Sequence, residues 1–221
     1  MTPETSRDRR VAVVGAGGHA KVVISTLDAA GFEVVAVYDD DPARHGDTVL
    51  GVPIRGHVGD LAPEDVLPAV IAIGDNHVRR RIAERLAWPW VSVVHPSAVV
   101  HASVRLGPGT VVMAGAVIQP DARLGRHAIV NTAATVDHDC RLGDFVHVAP
   151  GAHLAGSVAL GDEVLLGIGA VVTPGRRIGA GTVVGAGAAV VCDMPSGVVA
   201  RGVPAKAYAA APHWSALGRA A

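Results

Sequence analysis

Every sixth residue from Val94 onward is aliphatic. The series runs Val94, Val100, Leu106, Val112, Ile118, Leu124, Val130, Val136, Leu142, Val148, Leu154, Leu160, Leu166, Val172, Ile178, Val184 and Val190 without a gap. A flat strand, a corner and another strand place such a side chain inside each time. Four residues later the chain carries something small: Ala98, Thr110, Ala116, Ala122, Ala128, Ala134, Cys140, Ala152, Ala170, Thr182 and Ala188. A small side chain fits the narrow interior beside a corner. Valine fills the same slot at Val104, Val146, Val158 and Val164. Three flat faces per coil predict a parallel β-helix of about five coils. Arg176 breaks the pattern, at a slot expected to be small and inward. A buried unpaired guanidinium is costly, so that corner is expected to be distorted or open to solvent.

Composition agrees with a narrow prism. Aromatic residues make up 3% of the chain while hydrophobic residues reach 50%, so a core exists but bulky rings are scarce. That excludes a disordered chain. The 221 residues allow one large domain or two small ones. Net charge is −1 and no run of five or more like charges appears, which argues against nucleic acid and membrane surfaces as partners. The uncharged run Ile178 to Cys192 is too short and Gly-rich to span a bilayer. Val11 to Val14 follows a basic stretch but breaks at once into glycines, His19 and Lys21, so it does not read as a signal peptide. Cys140 and Cys192 form no disulfide framework. A cytoplasmic protein is expected.

The residues before the repeat follow a different rule. Val11 to Val14 is a short β-branched run, as in a buried parallel strand. It enters Gly15-Ala16-Gly17-Gly18-His19-Ala20. Lys21 to Ala30 then carries Val22, Val23, Ile24 and Leu27 at helical spacing, closed by Gly31. Phe32 to Tyr38 reads as a second strand, ending in Asp39-Asp40-Asp41. Ala69 to Ile73 reads as a third, ending in Gly74-Asp75-Asn76 before a helix over Val78 to Leu86. Strand, helix and strand with acids at the second strand's end make a mononucleotide-binding half. The loop fits G-x-G-x-x-A, with Asp39 about twenty residues on. Such glycines let a backbone approach a phosphate at a helix N-terminus. They also serve where a helix packs closely on a strand, so the motif alone leaves both readings open. His19 favours a ligand, since a helix interior has no use for a polar ring there. A unit of roughly ninety residues is half a full dinucleotide fold, which argues against NAD.

The repeat carries its own chemistry. In the hexad frame His138 and Asp139 take the third and fourth slots, which form a corner where side chains point outward. His138 therefore has no core role. A general base takes a proton from a nucleophile, and His suits this at neutral pH. An acidic neighbour raises its basicity and holds one tautomer. Asp137 and Asp139 both flank His138, and a solvated polar corner is the plain structural reading. Gly156 lies one coil on at the same corner, where its N–H could stabilise an oxyanion. A three-histidine zinc site with two histidines five residues apart is not present, since none of the eleven pairs that way.

Five stretches carry a resemblance: GAGGHAKVV at 15–23, the Asp39-Asp40 pair, AIGDNHVRRRI at 72–82, NTAATVDHDCRLGDFVHVAPGAHLAG at 131–156 and GVPAK at 202–206. With them the chain resembles the hexapeptide-repeat sugar acetyltransferases, in the group of sialic-acid O-acetyltransferases and bacillosamine-pathway N-acetyltransferases. The resemblance implies an α/β Rossmann-like nucleotide-sugar-binding domain at 1–92 and a left-handed parallel β-helix acyltransferase domain at 93–195. A tail at 196–221 would close the cofactor end. It implies His138 as the base, supported by Asp139. It implies acetyl-CoA contacts at His147, Gly156, Ile168, Gly185, Gly187 and Lys206. Nucleotide-sugar contacts are implied at Gly17, Gly18, His19, Asp39, Asp40 and Gly74. No metal is implied, and the assembly is a homotrimer with the base of one subunit facing a groove between two. Asp75 stands where the group often has Asn. The expected activity is acetyl-CoA-dependent N-acetylation of a UDP-, GDP- or dTDP-linked 4-amino-deoxy sugar. One alternative is O-acetylation of sialic acid or another sugar hydroxyl. Another, of a different class, is a non-catalytic nucleotide-binding scaffold, which leaves His138 beside Asp139 without a purpose.

Overall fold

A computed structural model describes residues 9–60 and 67–210. The chain opens with β1 (Arg10–Val14), α1 (Gly18–Ala29) and β2 (Glu33–Tyr38). Next come β3 (Thr48–Val49), β4 (Val52–Gly56), β5 (Ala69–Ile71) and α2 (Asn76–Arg85). The sheet order is β3-β4-β2-β1-β5. β1 pairs in parallel with β2 and β5, as a βαβ unit requires. The β3–β4 hairpin is antiparallel and extends β2; the sequence reading does not assign it. Both helices start earlier than the periodicity indicates. α1 takes Gly18 and His19 into its first turn, and α2 starts at Asn76 because the Asp75 side chain accepts from the Val78 N–H. Asp and Asn cap helices equally well, so the departure at Asp75 costs nothing there.

Seventeen two-residue strands follow, from β6 (Val93–Val94) to β22 (Ala189–Val190). Each pairs in parallel with a strand one coil away, as in Arg123↔Arg141, Ile129↔His147 and Thr135↔His153. Three sheets result, and the prism they form has three faces. Face one begins at Val93–Val94, face two at Val99–Val100 and face three at Arg105–Leu106. The aliphatic series from Val112 onward and the small corner residues share one continuous core, while Val94, Val100 and Leu106 of the first coil are partly buried. Full burial of each such side chain contributes about 1.5–3 kcal/mol. Arg176 opens its corner as expected. Its carbonyl still accepts from the Ala159 N–H, but the side chain turns outward, with Nε donating to the Pro174 carbonyl.

The N-terminal domain sits on face one. Ala20, Val23, Ile24 and Leu27 of α1 share a core with Val93, Val111 and Ile129, the outward residues of the first coils. β23 (Val198–Arg201) extends face one in parallel, and β24 (Lys206–Ala210) returns antiparallel to it. The GVPAK stretch is the turn between them. Residues 211–221 of the expected tail lie outside the described residues.

Candidate active site

His138 stands on the edge between faces two and three. Asp139 takes the fourth slot of the corner with φ +59°, left-handed backbone that Asp tolerates better than most residues. This aims the carboxylate back at the ring. His138 Nδ1 lies 2.8 Å from Asp139 Oδ2. Because a carboxylate only accepts, Nδ1 donates and Nε2 keeps its lone pair. Asp137 is engaged elsewhere, its Oδ1 accepting from the His138 backbone N–H at 2.7 Å. The Asp139 hydrogen bond raises the His138 pKa above the usual imidazole value, and the charges of Asp137 and Asp139 add to it. Gly156 packs against the ring: a Cβ there would lie 2.5 Å from His138 Nε2. The Gly156 N–H meets no acceptor among the described residues. Beside this edge, face two carries an open trough of about 390 Å³ lined by residues that include Asp137, His153 and Pro174. A larger trough, about 690 Å³, lies on face three between Arg141 and Arg177 and does not reach His138.

The glycine loop gathers a second set. A Cβ at Gly17 or Gly18 would meet no protein atom within 4 Å, so close packing does not account for these two glycines. Gly15 is the tight one, with φ +101° and Ile73 2.6 Å from the position of a Cβ. No side chain caps the start of α1. Asp39 Oδ2 accepts from the Ala16 N–H at 2.6 Å and holds the loop against the end of β2. Asp40 accepts from the Val58 N–H and from Arg85, which hold its carboxyl below the usual range despite partial desolvation. A cavity of about 200 Å³ lies between Asp39, Asp40, Val58 and Ile73. His19 turns its ring toward His147, with centroids 6.0 Å apart, and its buried Nε2 has no hydrogen-bond partner. Burial, aided by the Arg79 charge, lowers the His19 pKa to about 4.

His147 lies on face one with the glycine-loop residues, across the prism from His138. Its Nδ1 is 3.1 Å from the Gly74 carbonyl, and its Nε2 is 3.1 Å from Asn131 Nδ2. A carbonyl only accepts, so the ring is the neutral Nδ1–H tautomer. Burial first, then Arg79 and His19, lower its pKa to about 3. Of the residues expected along the cofactor, Ile168, Gly185 and Gly187 share the edge between faces one and two. Ile168 is 63% exposed, and its carbonyl accepts from the Gly187 N–H on the next coil. Lys206 is exposed at the start of β24. Within one chain the expected sites thus fall on two separate edges. Sequence reasoning passed over Asn131 and Arg79, which orient His147 and Gly74. Both lie inside motifs it had picked out, and the spacing of Asn76 and Arg79 on one helix face was the available signal. Among the described residues no cluster of His, Cys, Asp or Glu could hold a metal, and no helix is long and apolar enough to cross a membrane.

Comparison with known proteins places these edges in context. Residues 10–86 match the family described as the PglD N-terminal domain. The chain is 41% identical over 114 residues to UDP-N-acetylbacillosamine N-acetyltransferase of Bacillus subtilis, a match covering 48% of this chain and 52% of that one. It thus spans about half the length of that curated relative. Its fold is similar to that of a histidine-to-asparagine variant of perosamine N-acetyltransferase from Caulobacter crescentus, solved with CoA and GDP-perosamine. Identity there is 49% and the TM-score 0.85, over 90% of this chain and 96% of that one. The acetyltransferase domain of PglB from Neisseria gonorrhoeae, solved with acetyl coenzyme A, is 42% identical with a TM-score of 0.84, over 91% of this chain and 100% of that one.

Proposed function

The chain belongs to the hexapeptide-repeat sugar N-acetyltransferase family of these relatives, and from that membership we propose that it moves an acetyl group from acetyl-CoA to a nucleotide-linked amino sugar. The observation that carries the reading is the His138–Asp139 pair at 2.8 Å with Gly156 against the ring. The sugar amine attacks the thioester carbonyl and forms the new C–N bond. His138 Nε2 takes the amine proton as charge develops on nitrogen. The Gly156 N–H stabilises the carbonyl oxyanion. Collapse breaks the C–S bond, and the CoA sulfur leaves with the proton returned by His138. Gly17, Gly18 and the start of α1 hold the diphosphate. Asp39, Asp40, His19 and Gly74 frame the nucleoside and sugar. Ile168, Gly185 and Gly187 line the pantetheine arm, His147 packs beside it, and Lys206 meets a CoA phosphate.

The separation of the edges supports a homotrimer. His138 lies opposite face one, which carries the N-terminal domain. A complete site then needs the His138 edge of one subunit against the face-one side of its neighbour. The test is thiol release from acetyl-CoA with a panel of UDP-, GDP- and dTDP-linked 4-amino sugars and free sialic acid. Turnover of one amino-sugar nucleotide is expected, and His138→Ala should lower kcat by roughly 10²–10⁴-fold with acetyl-CoA binding retained. Turnover of sialic acid alone would assign O-acetylation instead. Undiminished kcat in the variant would remove His138 from the mechanism.

A further inference from the structure

Three consecutive arginines open α2, and they have different fates. Arg80 is exposed and bridges Glu84 and Glu163. Arg81 is exposed as well. Arg79 is 1% exposed, the largest fully buried side chain among the described residues. Its guanidinium makes one hydrogen bond for each of its N–H groups. Nε donates to the His127 carbonyl at 2.9 Å. Nη1 donates to the carbonyls of Ile73 at 2.9 Å and Gly74 at 3.2 Å. Nη2 donates to Asn76 Oδ1 at 2.8 Å and to the Phe145 carbonyl at 2.7 Å. None of the five acceptors is a carboxylate. Burial lowers the Arg79 pKa to about 9, against the pull of Asp75 and Glu163, so the group stays charged at neutral pH.

These acceptors come from two parts of the chain, which Asn76 Nδ2 also joins by donating to the Glu163 and Val164 carbonyls. Ile73, Gly74 and Asn76 belong to the turn after β5. His127 and Phe145 sit at equivalent corners of adjacent coils. The Gly74 carbonyl takes a second donor, His147 Nδ1, which uses both of its lone pairs. A buried cation is tolerated only when every donor finds an acceptor, so the arrangement is close to all-or-none. Lysine offers three donors on a point charge and cannot reproduce the planar fork.

We propose that Arg79 is a positioning residue of the acetyl-transfer site, clamping the Gly74 turn to the β-helix corners at His127 and Phe145 so that the Gly74 carbonyl holds His147 as its Nδ1–H tautomer. Arg79 touches no substrate. It fixes one placement of the glycine-loop domain against the β-helix, and a misplacement of about 1 Å can cost on the order of 10² in rate. The functional part rests on reading Gly74 and His147 as ligand contacts.

The experiment compares the full-length wild type with Arg79→Lys, Arg79→Gln and the exposed control Arg80→Gln. Long-range proton–nitrogen spectra of histidine-labelled protein identify the His147 tautomer. Steady-state kinetics use acetyl-CoA and the amino-sugar nucleotide turned over by the wild type. The wild type and Arg80→Gln should show the Nδ1–H form, and both Arg79 variants should lose it. The same two variants should lose at least tenfold in kcat/KM for the sugar nucleotide, with Lys rescuing no better than Gln. A wild-type His147 in any other protonation form overturns the clamp even if no Arg79 variant folds. Retention of the Nδ1–H form in folded Arg79 variants overturns it too, whatever their activity. A lost tautomer with unchanged kcat/KM overturns the role in catalysis. Absence of turnover by the wild type on every acceptor would count against the functional reading, and the spectra would still decide the clamp.

Discussion

At the scale of single residues, the role proposed for His138 turns a corner of the repeat into a base. Asp139 raises the imidazole pKa mainly by its hydrogen bond, and Asp137 and Asp139 add charge. A base works only when unprotonated, so activity should fall as pH drops through that raised value. Asp139→Asn removes the main cause of the shift. The acid limb of kcat/KM should therefore move to lower pH, with a lower plateau because the Nδ1–H is held less firmly. A pH–rate profile of the two proteins checks this, and coincident acid limbs would remove Asp139 from the pairing. Gly156 gives a second test by contact alone. A methyl there would lie 2.5 Å from His138 Nε2 and Cε1, so Gly156→Ala must push the ring aside. It should cost at least tenfold in kcat, on the reasoning that small misplacements are expensive, and leave the melting temperature within a few degrees. The pairing of His138 with Asp139 was legible from the hexad frame, because an outward slot with no core role singles out its occupant. The choice of Asp139 over Asp137 was not, because it depends on the left-handed backbone at residue 139.

Elements were legible in proportion to how local their causes are. The β-helix follows from one rule applied seventeen times, and the interior pairing of Val112, Val130 and Val148 obeys it directly. The βαβ unit followed from a β-branched run, a glycine loop and an amphipathic helix. The β3–β4 hairpin was hidden because strands of two and five residues carry too little pattern, and its pairing with β2 is long-range. Arg79 was hidden for a similar reason, since two of its acceptors, His127 and Phe145, lie in the other domain, and Asn131 because its partner His147 meets it only one coil on. The repeat also predicts its own weak points. Leu166 is 0% exposed, and its coil has neighbours on both sides. Leu166→Ala should lose about 2–5 kcal/mol, the usual range for a buried Leu whose cavity cannot collapse. Denaturant unfolding measures this. A loss below about 1 kcal/mol would mean that the coils relax around the gap, against the close packing of the prism.

For the whole molecule, the joint between domains is built from rings and cations that stay buried as one unit. His127 stacks on Phe145 at 5.2 Å and meets Trp90 edge-on at 5.0 Å, beneath Gly109. Its Nδ1 is buried without a partner. Burial lowers the pKa of His127 to about 4, as it does for His19, and that of His147 to about 3; Arg79 contributes to all three. The unfolded chain binds protons at these rings below about 6.5, while the folded protein does not until near 4 or 3. Each such ring adds stability fully above the unfolded value and loses it as pH falls from there toward the folded value. The loss is about 1.4 kcal/mol per pH unit for a fully shifted group. The two domains should therefore come apart and unfold together between pH 6.5 and 4, sooner than carboxylate protonation alone requires. His127→Phe isolates one ring. The position has φ +52°, and Phe145 already holds a phenyl at φ +58° one coil on, so the backbone accepts the change. The variant removes an unpartnered nitrogen from the core and one of the three protons. Its melting temperature at pH 7.5 should equal or exceed that of the wild type, and its acid midpoint should lie lower by a few tenths of a pH unit. Identical acid midpoints would mean that His127 is solvated before unfolding, and that the joint opens ahead of the β-helix rather than with it.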